Sequence, residues 1–271
     1  MSTKYRKILI TGASKGIGRQ LALDYGKQGV SLWLLARSEP LLESLASEIT
    51  ALGGEAHLLI CDATNETEFL ATLQKAQESS TGLDLVIANA GWGGKMSYPG
   101  DKNISVFNQV LDLNFRAAVQ TLEFFAKFMV EARHGHLVGV SSIAGFRGLP
   151  SSAAYSATKA ALTTYLESLR FSMKPFGVKV TDIRPGFIRT PMTARNAIPM
   201  PFLMDVDVAT RKIRRALERR RKRFTFPWQM AVLIHLVKAL PDFLFDGIVN
   251  LAFGDMAVKG RPGKTKENLP G

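Results

Sequence analysis

The stretches "SSIAG" at 141–145 and "YSATK" at 155–159 hold the residues of this chain best suited to moving a proton. Tyr155 and Lys159 stand four apart, so on a helix they share a face, one turn from each other. A tyrosine with its ordinary pKa near 10 is a poor acid–base at neutral pH. A neighbouring ammonium favours the phenolate and lowers that pKa. Ser141 and Ser142 end the run "HLVGVS", which reads as a strand. A hydroxyl at such a strand end can hold a carbonyl oxygen while the phenol supplies the proton. That is general acid catalysis, worth about two to four powers of ten. Tyr-x-x-x-Lys is common by itself; its place after a Ser-ending strand makes it specific.

A second constellation lies near the start. "ILITGASKGIGRQLA" puts Gly12, Gly16 and Gly18 between a strand and a helix. One glycine allows the tight turn, one lets backbone approach a pyrophosphate, and one lets helix pack on strand. "GASKG" also matches a nucleophile elbow with Ser14 as nucleophile. That elbow belongs deep in a sheet, after several strands, and this one follows the first. After the second strand, "LLARS" offers Ala36, Arg37 and Ser38 and no carboxylate to accept from a ribose 2′-hydroxyl. Arg37 and Lys15 suit a 2′-phosphate instead, so the expected cofactor is NADP(H) rather than NAD.

These residues need a scaffold. Short apolar runs recur at 7–11, 31–36, 56–61, 83–88, 136–141 and 178–183. Helical patterns separate them, at 16–28 (Ile17, Leu21 and Tyr25 at i, i+4, i+8), 39–52, 64–80, 104–132 and 153–174. Alternating strands and helices imply βαβ units, an α/β fold with a parallel sheet and helices on both faces. The near-continuous apolar character of the strands fits burial on both sides. No linker or repeat divides the 271 residues, which suits one domain.

At this point the chain resembles the short-chain dehydrogenase/reductase family over roughly residues 6–192. The motifs occur in order: "TGASKGIG", "CDA" at 61–63, "ANAG" at 88–91, "LDLNF", Ser142 with "YSATK", and "PGFIRT" at 185–190. "ANAG" departs from the family's N-N-A-G, Ala88 replacing the first Asn. The resemblance implies a single-domain, Rossmann-type, doubly wound sheet of about seven strands. It implies a catalytic set of Asn114, Ser142, Tyr155 and Lys159. Tyr155 would exchange the proton, and Ser142 would orient the substrate oxygen. Lys159 would bind the nicotinamide ribose and depress the tyrosine pKa. Asn114 would anchor a water completing a relay through Lys159. The cofactor would be held by Gly12, Ser14, Lys15, Gly16, Ile17, Gly18, Arg37, Ser38, Asp62, Ala63, Asn89, Ala90 and Gly91. Tyr155, Lys159, Pro185, Gly186, Ile188 and Thr190 would complete its site. The activity implied is interconversion of a carbonyl and an alcohol. The rival reading is a non-catalytic NADP(H)-binding regulatory or scaffold protein, which need not keep the four catalytic residues.

The segment 190–206, "PMTARNAIPMPFLMDV" with its preceding threonine, is rich in Met, Pro and Phe and reads as a lid over a hydrophobic substrate. Steroid-like ketones, long-chain aldehydes or ketones and ketoacyl lipids are the expected classes. Val206, Ala209, Ile213, Ala216 and Leu217 form an apolar stripe on a helix before a last strand, "RFTF" at 223–226. Its other faces carry Arg211, Lys212, Arg214 and Arg215, and Arg219, Arg220, Arg221, Lys222 and Arg223 follow. The expected division is 1–227 for the catalytic body, 228–259 for an amphipathic helical extension broken at Pro241, and 260–271 for a disordered tail.

The net charge is +12, which favours anionic partners. No nucleic-acid signature accompanies the basic run, so no nucleic acid is expected. Trp228, Phe226 and several leucines beside Lys and Arg suit an anionic membrane surface through 211–253. The expected partner is a further copy of the chain, in a homodimer or homotetramer that buries the apolar face of the extension; the membrane contact is the second reading, and the two can coexist. One cysteine, Cys61, and a first strand that leaves no room for a signal sequence give a cytoplasmic expectation, with membrane association at the cytoplasmic face. His57, His134, His136 and His235 have no metal-site spacing, and His134 and His136 read as surface residues.

Overall fold

In the computed structural model, residues 3–96, 102–148, 150–195 and 200–259 are described. The strands are β1 (Lys7–Thr11), β2 (Ser31–Ala36), β3 (Glu55–Ile60), β4 (Leu85–Ala88), β5 (His136–Val140), β6 (Lys179–Pro185), β7 (Ile188–Arg189), β8 (Met204–Asp205) and β9 (Arg223–Phe226). The helices are α1 (Gly16–Gly26), α2 (Glu39–Ala51), α3 (Glu66–Ser80), α4 (Asn103–Leu111), α5 (Ala117–Glu131), α6 (Ala153–Met173), α7 (Val206–Glu218), α8 (Trp228–Ala239) and α9 (Asp242–Lys259).

Seven strands form one parallel sheet in the order β3, β2, β1, β4, β5, β6, β9, and β7 pairs with β8 apart from it. The expected doubly wound α/β sheet is therefore present. Alternate residues of β1 feed opposite layers. Ile8 and Ile10 join Leu32, Leu34, Leu21 and Ile213 on one face. Leu9 joins Leu35, Phe69, Leu122 and Leu166 on the other. This two-sided burial is why the strands are apolar at nearly every position. The chain reverses its direction of growth between β1 and β4, and a crevice opens beyond the carboxyl ends of strands at such a switch point. The glycine turn and the 89–91 segment follow those two strands, so both open into it.

Two local features differ from the sequence expectation. The helical pattern at 104–132 is divided: a π turn, Asp112–Arg116, separates α4 from α5. Asn114 lies within it, turned onto the backbone of Trp92. His136 is not a surface residue but 1% exposed. It begins a central strand, and its ring nitrogens meet Tyr5 Oη at 2.7 Å and Thr181 Oγ1 at 2.8 Å. Burial, with Arg220 and Lys179 nearby, pushes its pKa down to about 3, so it is neutral. The expected disordered tail, 260–271, lies outside the described residues, as do 196–199 of the expected lid.

Candidate active site

Ser142 follows β5 in extended conformation (φ −168°, ψ 158°), and its hydroxyl accepts from Ala144 N–H at 3.1 Å, capping a short 3-10 turn, Ile143–Gly145. α6 carries Tyr155 and Lys159 one turn apart and packs against that turn and against β6. A Cβ on Gly145 would stand 2.8 Å from the backbone of Lys159, so only glycine lets turn and helix approach this closely. The Tyr155 phenol is pushed above its usual range by burial, with its hydrogen bond to Ser142 acting the other way. Lys159 is buried; its Nζ donates to Val140 O at 2.8 Å and lies 5.8 Å from the Tyr155 ring centroid. Burial pushes its pKa down to about 8, while Asp182 raises it. The ammonium is turned to the Val140 carbonyl, and the group that lowers the phenol in this arrangement is the Ser142 hydroxyl, outweighed by loss of water. The site holds Tyr155 as a protonated phenol, poised to donate.

Asn114 is fully buried. Its Oδ1 accepts from Trp92 N–H at 2.7 Å and its Nδ2 donates to Trp92 O at 2.9 Å, with Thr158 Oγ1 at 3.4 Å. The side chain thus holds the loop after β4. A Cβ on Gly91 would meet Asn114 Oδ1 at 3.2 Å and Lys159 Nζ at 3.5 Å, which puts the ends of β4 and β5, the π turn and α6 around one point.

The glycine turn forms the neighbouring wall. Gly12 has φ +67° and a Cβ there would collide with Ala90 Cα at 2.7 Å. Asn89 Nδ2 donates to Thr11 O (3.0 Å) and Gly12 O (3.3 Å), and the Thr11 hydroxyl accepts from the N–H groups of Asn89 and Ala90, each at 3.1 Å. α1 begins at Gly16 without a side-chain cap or an acid in its first turn, and Ser14 and exposed Lys15 precede it. A helix N-terminus open in this way, beside a backbone cradle a Cβ would fill, fits a pyrophosphate. At the end of β2, Arg37 reaches Asp62 at 3.4 Å. Burial would raise the Asp62 carboxyl, but Thr64 and Arg37 together bring it below its usual range. Ser38 leads into α2 and Ala63 is buried beside Asp62.

Pro185 ends β6 beside Phe226, and Gly186 N–H donates to Phe226 O at 2.7 Å. Ile188 is buried, and Thr190 lies next to Gly16, where a Cβ would meet its Cγ2 at 3.3 Å. The structure thus draws the sequence-expected residues to one end of the sheet, Ile17 among them at the start of α1. Met192 and Trp92 are both exposed, and a Cβ on Gly93, next to Trp92, would touch Met192 Cγ at 3.8 Å. A separate cavity of about 380 Å³ is lined by Phe202, Met204, Lys212, Phe226 and Trp228, among others, and reaches none of the four catalytic candidates.

Several residues escaped sequence reasoning. Phe146 and Arg147, just past Ser142, receive the C-terminal helices: His235 meets the Phe146 ring edge-on at 5.2 Å, and Arg147 pairs with Asp242 at 3.1 Å and covers Phe245 at 4.1 Å. Nothing in the sequence links 146–147 to 235–245. Asp182 and Arg184 form a buried pair below Ser141; the signal available was two charges inside an apolar strand. No cluster of His, Cys, Asp or Glu suited to a metal occurs among the described residues.

A doubly wound parallel sheet with Ser, Tyr and Lys gathered beside a glycine turn defines a class of α/β oxidoreductases. The chain belongs to the short chain dehydrogenase family, whose model matches residues 6–199, and is an oxidoreductase of that family. It is 42% identical to an uncharacterised oxidoreductase of Myxococcus xanthus over 245 residues, 89% of this chain and 95% of the relative. An uncharacterised oxidoreductase of Mycobacterium tuberculosis is 32% identical over 243 residues, 88% of this chain and 95% of that one. A short-chain type dehydrogenase/reductase from Mycobacterium marinum superposes with TM-score 0.71 at 26% identity, over 77% of this chain and 87% of its own. A short-chain dehydrogenase from Sphingobium yanoikuyae, solved with NADPH, superposes with TM-score 0.75 at 23% identity over 98% of each chain, a likeness of fold.

Proposed function

We propose that this protein is an NADP(H)-dependent oxidoreductase that interconverts a carbonyl and an alcohol on a hydrophobic substrate, of the steroid-like, long-chain aldehyde or ketone, or ketoacyl-lipid class. The observation that carries the reading is the convergence of Ser142, Tyr155 and Lys159 beside the glycine turn. The cofactor, when bound, supplies the hydride. Ser142 holds the substrate oxygen, and Tyr155 gives it a proton in reduction. Lys159 binds the ribose and returns the proton, and Asn114 fixes the Trp92 loop that borders the pocket. Preference for NADP(H) follows from Arg37 and Lys15 with no carboxylate at the end of β2. Exposed Trp92, on the loop that Asn114 holds, and Met192 near it favour an apolar substrate.

The test is NADPH oxidation over a panel of apolar aldehydes and ketones, with NADH in parallel. Turnover with NADPH is expected, falling by about two to four powers of ten in Tyr155→Phe while NADPH binding persists. Wild-type turnover in that variant overturns the assignment. NADPH binding without turnover on any carbonyl indicates the regulatory or scaffold reading, and preference for NADH overturns the role of Arg37.

For the C-terminal extension we propose contact with an anionic membrane surface. α8 and α9 expose Trp228, Leu236, Phe243 and Leu251, and exposed cations of α7 and the 219–223 run lie in the preceding sequence. A chain of net charge +12 repels its own copies but attracts acidic lipid, which favours the membrane over self-association for this surface.

A further inference from the structure

We infer that Asp182 is a positioning residue for this site, its carboxylate tying the end of β5, which carries Ser142, to α6, which carries Tyr155 and Lys159. The inference rests on the reading of those three residues as catalytic. Asp182 is 3% exposed, a charge in the middle of a central strand. Its Oδ1 accepts from Ser141 Oγ at 2.5 Å and its Oδ2 from Arg184 Nε at 2.5 Å. Thr163 on α6 also hydrogen-bonds to it. Tyr155, Lys159 and Thr163 recur at i, i+4 and i+8, so the carboxylate grips the catalytic stripe of α6 one turn past Lys159. Its other hold, Ser141, is bonded to Ser142 through the backbone. The Lys159 ammonium meets the carbonyl of Val140, one residue earlier still. One side chain therefore sets the spacing between the hydroxyl that holds the substrate oxygen and the phenol that protonates it.

An asparagine could make similar hydrogen bonds. What the charge adds is an anion near an ammonium that burial has stripped of water, and it favours the protonated lysine. Arg184 keeps the carboxylate from being buried without a counterion. The charged and titratable groups facing this pair are Lys159 from α6, with Thr163 and Ser141 as neutral donors, and Arg184 from β6 itself. Beyond Arg184, whose guanidinium lies 5.3 Å from the Phe146 ring centroid, His235 and Lys238 of α8 also meet that ring. Arg147 beside it is paired with Asp242.

The experiment compares wild type, Thr163→Val, and the double variant Asp182→Asn with Arg184→Met, which leaves no lone buried charge. Carbonyl reduction and NADPH binding, the latter by fluorescence, are followed from pH 6 to about pH 10. Removing the anion should let Lys159 lose its proton earlier. The alkaline limb of both curves should move down by about half to one pH unit in the double variant. Its kcat should fall about five- to thirtyfold with little change in substrate KM. Thr163→Val, which keeps the charge and loses one grip, should lower kcat a few fold, roughly, and leave the limb in place. A folded double variant with wild-type kcat and limb overturns the inference. Should the double variant not fold, wild-type kcat in Thr163→Val overturns it. Turnover surviving in Tyr155→Phe would instead overturn the catalytic reading on which it stands.

Discussion

At the scale of single residues, Lys159 carries two opposed demands. Its burial makes a dry pocket in which hydrogen bonds to substrate are strong, and the same burial favours the neutral amine. The outcome, a pKa pushed down to about 8, has a direct consequence for activity. Below that pH the ammonium is present; as pH rises through it, the charge is lost. Tyr155 is shifted the other way and keeps its proton well past neutrality. Carbonyl reduction should thus be level from pH 6 to about 7.5 and fall above about pH 8, measured as kcat/KM against pH in the presence of NADPH. A profile still flat at about pH 10 would show that no ammonium is required. A serine at the end of β5, Tyr155 and Lys159 were legible at this scale from residue type and spacing, whereas Asn114 was named only through the resemblance to the family. The place of Asp182 was not legible. Two charges inside one apolar strand signal the pair with Arg184, but Ser141 and Thr163 lie on other elements, and no local pattern connects them to Asp182.

At the scale of elements, the glycine turn shows how tightly strand and helix are joined. A Cβ on Gly18 would stand 2.4 Å from Gly12 O and 2.7 Å from Asn89 Nδ2, and the first of these is backbone that cannot swing away. Gly18→Ala is expected to cost about 1–3 kcal/mol of stability and to weaken NADPH binding more than tenfold, because α1 must retreat from the turn. Melting temperature and fluorescence titration would check this; unchanged cofactor affinity would show that the turn does not hold it. The sequence read this turn well, since strand, glycines and helix are contiguous. It read 104–132 less well. Apolar periodicity runs through both α4 and α5, and one π turn hardly disturbs that period. The break exists because Asn114 must meet the Trp92 backbone, which is a tertiary demand.

At the scale of the whole molecule, the two ends of the chain behave differently. The N-terminus is fastened: Thr3 and Lys4 bond to Glu218 and Tyr5 to His136 and Leu217. Among the described residues the C-terminal helices are held by Phe146, Arg147 and the end of β9, and leave Trp228 at 70% and Leu251 at 91% exposure. No helix among the described residues is long and apolar enough to cross a membrane, so contact would be along the surface. The full chain is expected to pellet with vesicles containing phosphatidylserine at low salt, and to release as salt rises and screens the charge. Absence of pelleting at low salt, with a dimer or tetramer in light scattering, would assign the apolar faces to copies of the chain instead.

The sequence by itself determined what depends on neighbours along the chain: the alternation of buried strands and helices, the glycine turn, the Tyr155–Lys159 face and the lack of an acid after β2. Each is encoded by periodicity or by contiguous residue types, which local geometry converts directly into structure. Only the tertiary structure decided what depends on strands meeting out of sequence order. β5 lies between β4 and β6, and that arrangement buries His136 between Tyr5 and Thr181. It also sets the Asp182 carboxylate between Ser141 and Thr163. The physical reason is the same in each case. Desolvation and charge pairing are set by what closes over a side chain, and those partners come from tens of residues away.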